Sequence, residues 1–174
     1  MRLTLSLAAL AASLAVASPA FAQAATATEQ AEARGVVLQR LTLTKIQDLD
    51  FGTVIASNAA GSVQIDADTG ARTTALGVVG VPSYPGDRGY FGGAGTPGQA
   101  VTVTLSSPTV LVSTTNPTDT ITVTSMTLDN GNSANRTIAS SGAFFVGVGG
   151  DFAIAADQPS GLYTANFDLT AQYQ

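Results

Sequence analysis

The chain has 174 residues, 12 acidic against 7 basic, a formal net charge of −5, and no cysteine, histidine or tryptophan. That inventory excludes a disulfide framework, a thiol nucleophile, a histidine-based triad and the usual zinc ligand sets. An acidic chain without basic clusters is a poor nucleic-acid or anionic-membrane partner, and charged residues at 11%, against roughly 25% in average soluble domains, suit a surface buried against copies of itself.

Arg2, an apolar run over residues 3–17, then Ser18, Pro19 and the triplet Ala20, Phe21, Ala22 read as a secretory signal peptide. Cleavage is expected after Ala22, with Ala24 as the second choice. The run is too short to span a bilayer. The expectation is export to the periplasm, the cell surface or beyond, with no integral membrane segment once residues 1–22 are removed.

Residues 23–40 form an N-terminal extension. Ala25, Ala27, Ala31, Ala33, Gly35 and Val37 share one parity, and Thr26, Thr28, Gln30 and Glu32 the other. That alternation fits a lean β-strand, while the preference of Ala, Glu and Gln for helix leaves a frayed turn or a loose leader open. Residues 35–44 are richer in β-formers and could supply the strand themselves. The domain proper is expected over residues 41–174. Leu49, Phe51 and Thr53 then share one face, opposite Asp48, Asp50 and Gly52. Residues 61–65 read as a strand, 66–70 as an Asp- and Gly-rich turn, and 72–79 as the return strand. Residues 80–98, loaded with Gly and Pro, read as a long loop, and Tyr84, Tyr90 and Phe91 make it a candidate contact surface. Strands follow at 99–105, 110–112 and 120–128, the last with a change of parity at Met126 and Leu128 that predicts a bulge. Residues 129–132 read as a turn, 143–148 as a buried strand, 149–151 as a tight turn, and 152–154 as another short strand. Many short strands between turns, without helical periodicity after the leader, predict an all-β sandwich of one domain.

The end of the chain alternates most cleanly. Tyr163, Ala165, Phe167 and Leu169 lie on one face, continued by Ala171 and Tyr173, with Thr164, Asn166, Asp168 and Thr170 on the other. Gly161 stands fourteenth from the end and Tyr173 second from it, which resembles the terminal strand of chaperone–usher pilus subunits. Leu41, Thr42 and Leu43 followed by Asp48, Leu49, Asp50, Phe51 and Gly52; the Gly61, Val63, Ile65 strand; Gly70, Arg72 and Thr73; and Gly142 to Gly147 together resemble DUF4402. That is a family of exported bacterial proteins related in outline to pilins and spore-coat-U-like subunits. The resemblance implies an immunoglobulin-like Greek-key sandwich, either self-complete or one strand short. It also implies assembly by donor-strand exchange into a homopolymer or with related subunits, served by a periplasmic chaperone and an outer-membrane usher. Gly161, Tyr163, Ala165, Phe167, Leu169 and Tyr173 would form the acceptor strand, and the extension the donor. The alternative is a self-complete binding module using the loop at 80–98.

Catalytic parts are scarce. Asp68, Thr69 and Gly70 match the aspartic-protease triplet, yet they sit in a hairpin turn rather than after an apolar strand. Asp48 with Asp50, and Asp66 with Asp68, pair carboxylates without the remaining ligand pattern of a calcium loop. Asn135, Arg136 and Thr137 match a glycosylation sequon. The expectation is a structural subunit, not an enzyme, with no catalytic residue, metal or cofactor.

Overall fold

The computed structural model describes residues 26–174. The signal-peptide reading of residues 1–22 and the candidate donor residue Ala25 lie outside them. Val36–Gln174 forms one compact unit. The described residues before it, 26–35, are exposed and carry no helix or strand.

Eleven strands make up the unit: β1 (Thr42–Gln47), β2 (Val54–Ile65), β3 (Arg72–Gly80), β4 (Gly89–Ala94), β5 (Ala100–Ser106), β6 (Val110–Ser113), β7 (Thr120–Leu128), β8 (Asn135–Thr137), β9 (Ala143–Ile154), β10 (Tyr163–Thr164) and β11 (Asp168–Tyr173). One helical turn, α1 (Asp129–Asn132), follows β7. Asn130 and Gly131 there have left-handed φ angles, so the segment works as the tight turn that its Asn and Gly content predicts.

All ladders are antiparallel. The larger sheet runs β1-β4-β9-β7-β6-β10, and the smaller runs β11-β5-β8. β9 is the spine of the larger sheet. Its first half pairs with β4, its second half with β2, and β7 lies along its other edge. Phe144, Val146, Val148, Phe152 and Ile154 point from one face of β9 into the interior, at most 4% exposed. The first three join Phe91, Val101, Val103, Leu128 and Ile138 in a core between the two sheets. Phe152 and Ile154 join Val63, Val78, Leu111, Ile121 and Tyr163 in a second core. The architecture is an all-β sandwich.

Four sequence expectations change here. The turn expected at residues 149–151 is absent, because β9 runs straight through it. Its glycines serve close approach instead. A Cβ on Gly149 would lie 2.2 Å from the Ile65 carbonyl oxygen, and one on Gly147 2.3 Å from that of Ala67. The stretch expected as a loop at 80–98 contains β4, an interior strand of the sheet. Residues 48–53 keep their alternation, with Leu49 and Phe51 half-buried and Asp48 and Asp50 exposed, but they join no ladder beyond a bridge from Asp50 to Asp87. The terminal strand is broken at residues 165–167, so that β10 extends the larger sheet and β11 the smaller. The bulge expected in β7 is present, as a register shift between Val123 and Ser125.

Candidate functional site

The two walls of a groove come from the two ends of the domain sequence. One wall is β1, the segment 48–53 and the start of β2. The other is residues 158–163, β10 and β11. Half-buried Leu43 and Leu49 on the first wall and Phe167, Leu169, Ala171 and Tyr173 on the second pack onto the inter-sheet core. Leu49 also packs on the second core with Phe51, Val54 and Ala56, and so touches both cores. Between Phe51, Val54, Ile121, Ile154 and Tyr163 the groove deepens to a volume of about 580 Å³.

Both walls present unused backbone. Among the described residues β1 pairs only with β4 and β11 only with β5. These two strands approach each other without sharing a ladder. Gln174 N–H donates to Ala100 O at 3.1 Å. In an antiparallel ladder every second residue bonds to the same neighbour, so Leu169, Ala171 and Tyr173 turn their N–H and C=O groups away from β5. Thr114 N–H donates to Leu162 O at 2.9 Å, and by the same alternation Tyr163 turns its backbone groups away from β6. Val81 N–H donates to Thr53 O at 2.9 Å, which leaves Val54 and Ala56 facing away from β3. Unpaired edges of this kind are templates for an added strand.

The first wall is held from behind. Arg72 donates from Nη1 to Thr53 O (3.0 Å) and Tyr84 O (2.9 Å) and from Nη2 to Val81 O (2.9 Å). Asp50 and Asp87 exchange two backbone bonds, of 2.9 and 2.7 Å. Gly52, at φ +71°, sits where a Cβ would come within 2.3 Å of Tyr84 O. The segment 80–88 is therefore a buttress for residues 50–53.

The second wall is pinned by two tyrosines. Tyr163 is buried and its hydroxyl donates to Pro159 O at 2.6 Å, while Gln158 Nε2 donates to it at 2.9 Å. A tyrosine bonded to upstream backbone in this way fixes a corner between sheets. Tyr173 lies at the other end. Its hydroxyl donates to Gln39 O at 2.8 Å and accepts from Thr96 N–H at 2.8 Å.

The structure places the remaining candidate residues as follows. Gly161 lines the deep end of the groove. Phe167 meets Phe91 edge-on at 5.9 Å between ring centroids. Ala165, expected on the apolar face, is exposed, because the chain crosses between sheets there. Ala27, Ala31, Ala33 and Gly35 are exposed, and Val37 is 96% exposed. In the expected contact loop Tyr84 is 66% exposed, but Phe91 belongs to the core and Tyr90 lies in a stack between Arg88 and Phe145. Asp68 accepts a bond from Asn130 N–H (2.7 Å) in an exposed turn. In that turn the Asp66 carboxylate accepts from the Thr69 hydroxyl and the Thr69 and Asp68 amides. Those bonds, the Thr69 hydroxyl first, hold the Asp66 carboxyl below the usual carboxylate range. Among the described residues no group of three or more acidic side chains is placed to hold a metal ion. No described helix is long and apolar enough to cross a membrane.

The family described as Domain of unknown function (DUF4402) matches residues 41–173. The chain belongs to the DUF4402 family. The match opens at Leu41, at the start of the first groove wall, and closes at Tyr173, at the end of the second. No curated protein and no solved structure matches the chain. Sequence reading of this DUF4402 domain missed Arg72 as the tie behind the groove. The signal for it was Gly70, Arg72 and Thr73 following an Asp-rich turn, which marks the motif but not what the guanidinium reaches.

Proposed function

We propose that this DUF4402 protein is an exported structural subunit that assembles by donor-strand exchange into a surface fibre or coat, and is not an enzyme. The observation that carries the reading is the groove between two unpaired backbone edges, one of them formed by the last strand of the chain. The order of strands supports it. A sheet containing β1-β4-β9-β7 faces one in which β11 is paired with β5 alone, and an immunoglobulin-like sandwich has one further strand flanking the equivalent of β11. An incoming strand would satisfy the backbone of Leu169, Ala171 and Tyr173 on β11 and cover their half-buried neighbours. A periplasmic chaperone and an outer-membrane usher would protect and deliver a subunit whose groove aggregates when empty.

The test uses a domain beginning at Gln39, which keeps the Tyr173 contact, and a synthetic peptide of residues 26–38. The melting temperature should rise with peptide concentration, as binding to the folded state alone requires. A peptide that leaves the melting temperature unchanged at millimolar concentration would overturn the reading.

A further inference from the structure

We propose that the cavity of about 580 Å³ beside Tyr163 is a binding site for a single-chain aliphatic amphiphile with a cationic headgroup. Strand exchange leaves this cavity unused. The incoming strand proposed above pairs with β11 of the smaller sheet. The cavity is lined by Val54, Ile121, Ile154 and Tyr163, which lie on β2, β7, β9 and β10 of the larger one.

The interior selects the tail. Ile121 and Ile154, 3% and 2% exposed, line it together with half-buried Phe51 and Val54. The polar tips of Tyr163 and Gln158 are already bonded within the protein. The Tyr163 hydroxyl is held between Pro159 O and Gln158 Nε2. Gln158 Oε1 accepts from Ala155 N–H at 3.3 Å, and its Nε2 also donates to Thr120 O at 3.2 Å. The other polar side chains of the lining, Asp50, Thr53 and Ser160, are exposed and stand at the mouth. A guest that passes them meets hydrocarbon, in a volume inside the range of about 300–1,000 Å³ usual for small-molecule sites. The rim is apolar as well. Ile55 and Leu162, both part of the lining, are 59% and 66% exposed. An aliphatic tail passing between them removes that surface from water.

Charge selects the head. Asp50 is the only charged residue of the lining. It takes part in none of the ion pairs among the described residues. Its Oδ1 accepts from Gly52 N–H at 2.7 Å. A carboxylate at the mouth of an apolar cavity favours a cation whose tail enters and disfavours an anion.

The test is calorimetric titration of the chain from Gln23, which keeps every described residue. The probes are hexyl-, octyl- and decyltrimethylammonium, the matching alkyl sulfates and decyl glucoside, all below micelle-forming concentration. The cationic series should bind one to one, with each lengthening by two carbons lowering Kd roughly tenfold. Decyl sulfate should bind about ten times more weakly than its cationic counterpart. Asp50→Asn keeps an oxygen for Gly52 N–H and should cut that preference to below about threefold, while decyl glucoside binds as before. Methyl NMR signals of Ile121 and Ile154 should shift on binding, and that of Ile138, in the inter-sheet core, should not. Affinity that does not rise with chain length, or unmoved Ile121 and Ile154 signals, overturns the site. Equal affinity for ammonium and sulfate, or a preference that survives Asp50→Asn, overturns the headgroup. Release of the bound amphiphile by the peptide of residues 26–38 overturns the assignment in favour of the extension.

Discussion

Arg72 directs its guanidinium to the backbone carbonyls of Thr53, Val81 and Tyr84 rather than to a carboxylate. Hydrogen bonds from a charged donor are stronger than neutral ones, and without it each of these carbonyls keeps a single backbone N–H partner. Arg72→Ala should therefore lower unfolding free energy by about 2–3 kcal/mol in urea titration, with Arg72→Lys recovering less than half. A loss below about 0.5 kcal/mol would show that the wall at residues 50–53 stands without it. Asp66 makes a pH-dependent contribution. Its carboxyl is held below the usual range chiefly by the Thr69 hydroxyl. The folded state thus binds fewer protons than the unfolded one around and below about pH 4, so stability present at neutral pH is lost as pH falls through that range. Thr69→Ala should return the Asp66 titration, followed by NMR, toward that of an ordinary aspartate. An unmoved titration would assign the effect to the amides alone.

At the scale of the element, Phe167 is half-buried against Phe91, so Phe167→Ala should cost about 2 kcal/mol, less than the roughly 3–5 typical of a fully buried phenylalanine. Gly149→Val should cost more, because the Ile65 carbonyl and Ala67 backbone occupy the space of its Cβ and backbone yields poorly. Thermal melts of the two variants rank them, and the opposite order would contradict the packing described for β9. These two strands also show how far a sequence can be read. Alternation named the inward residues of the terminal strand correctly apart from Ala165, because period two is a local property of the backbone. It did not locate the break at residues 165–167, where the chain changes sheets, since both halves keep the same parity. Gly149 and Gly150 looked like a turn because glycine for close approach and glycine for a turn are spelled alike. The groove itself was half legible. Its last-strand wall stood out, whereas the opposite wall depends on Arg72 reaching carbonyls from two separate segments, a contact that no local pattern encodes.

For the whole molecule, the free edges of β1, β2, β10 and β11 and the exposed extension are the parts that the proposed strand exchange would join between copies. The sandwich has two cores, both touched by Leu49. The Tyr173 hydroxyl ties the groove's second wall to Gln39, from which the extension begins. Tyr173→Phe should loosen that tie, costing about 1 kcal/mol of domain stability in denaturant titration while the inward face of β11 is kept. No change would place the role of Tyr173 outside the isolated domain. The measurement that bears most directly on the central claim is size-exclusion chromatography with light scattering on the chain from Gln23 beside the domain from Gln39. The account predicts concentration-dependent polymers for the longer chain and a monomer for the shorter one. A longer chain that remains a stable monomer at all concentrations would contradict it.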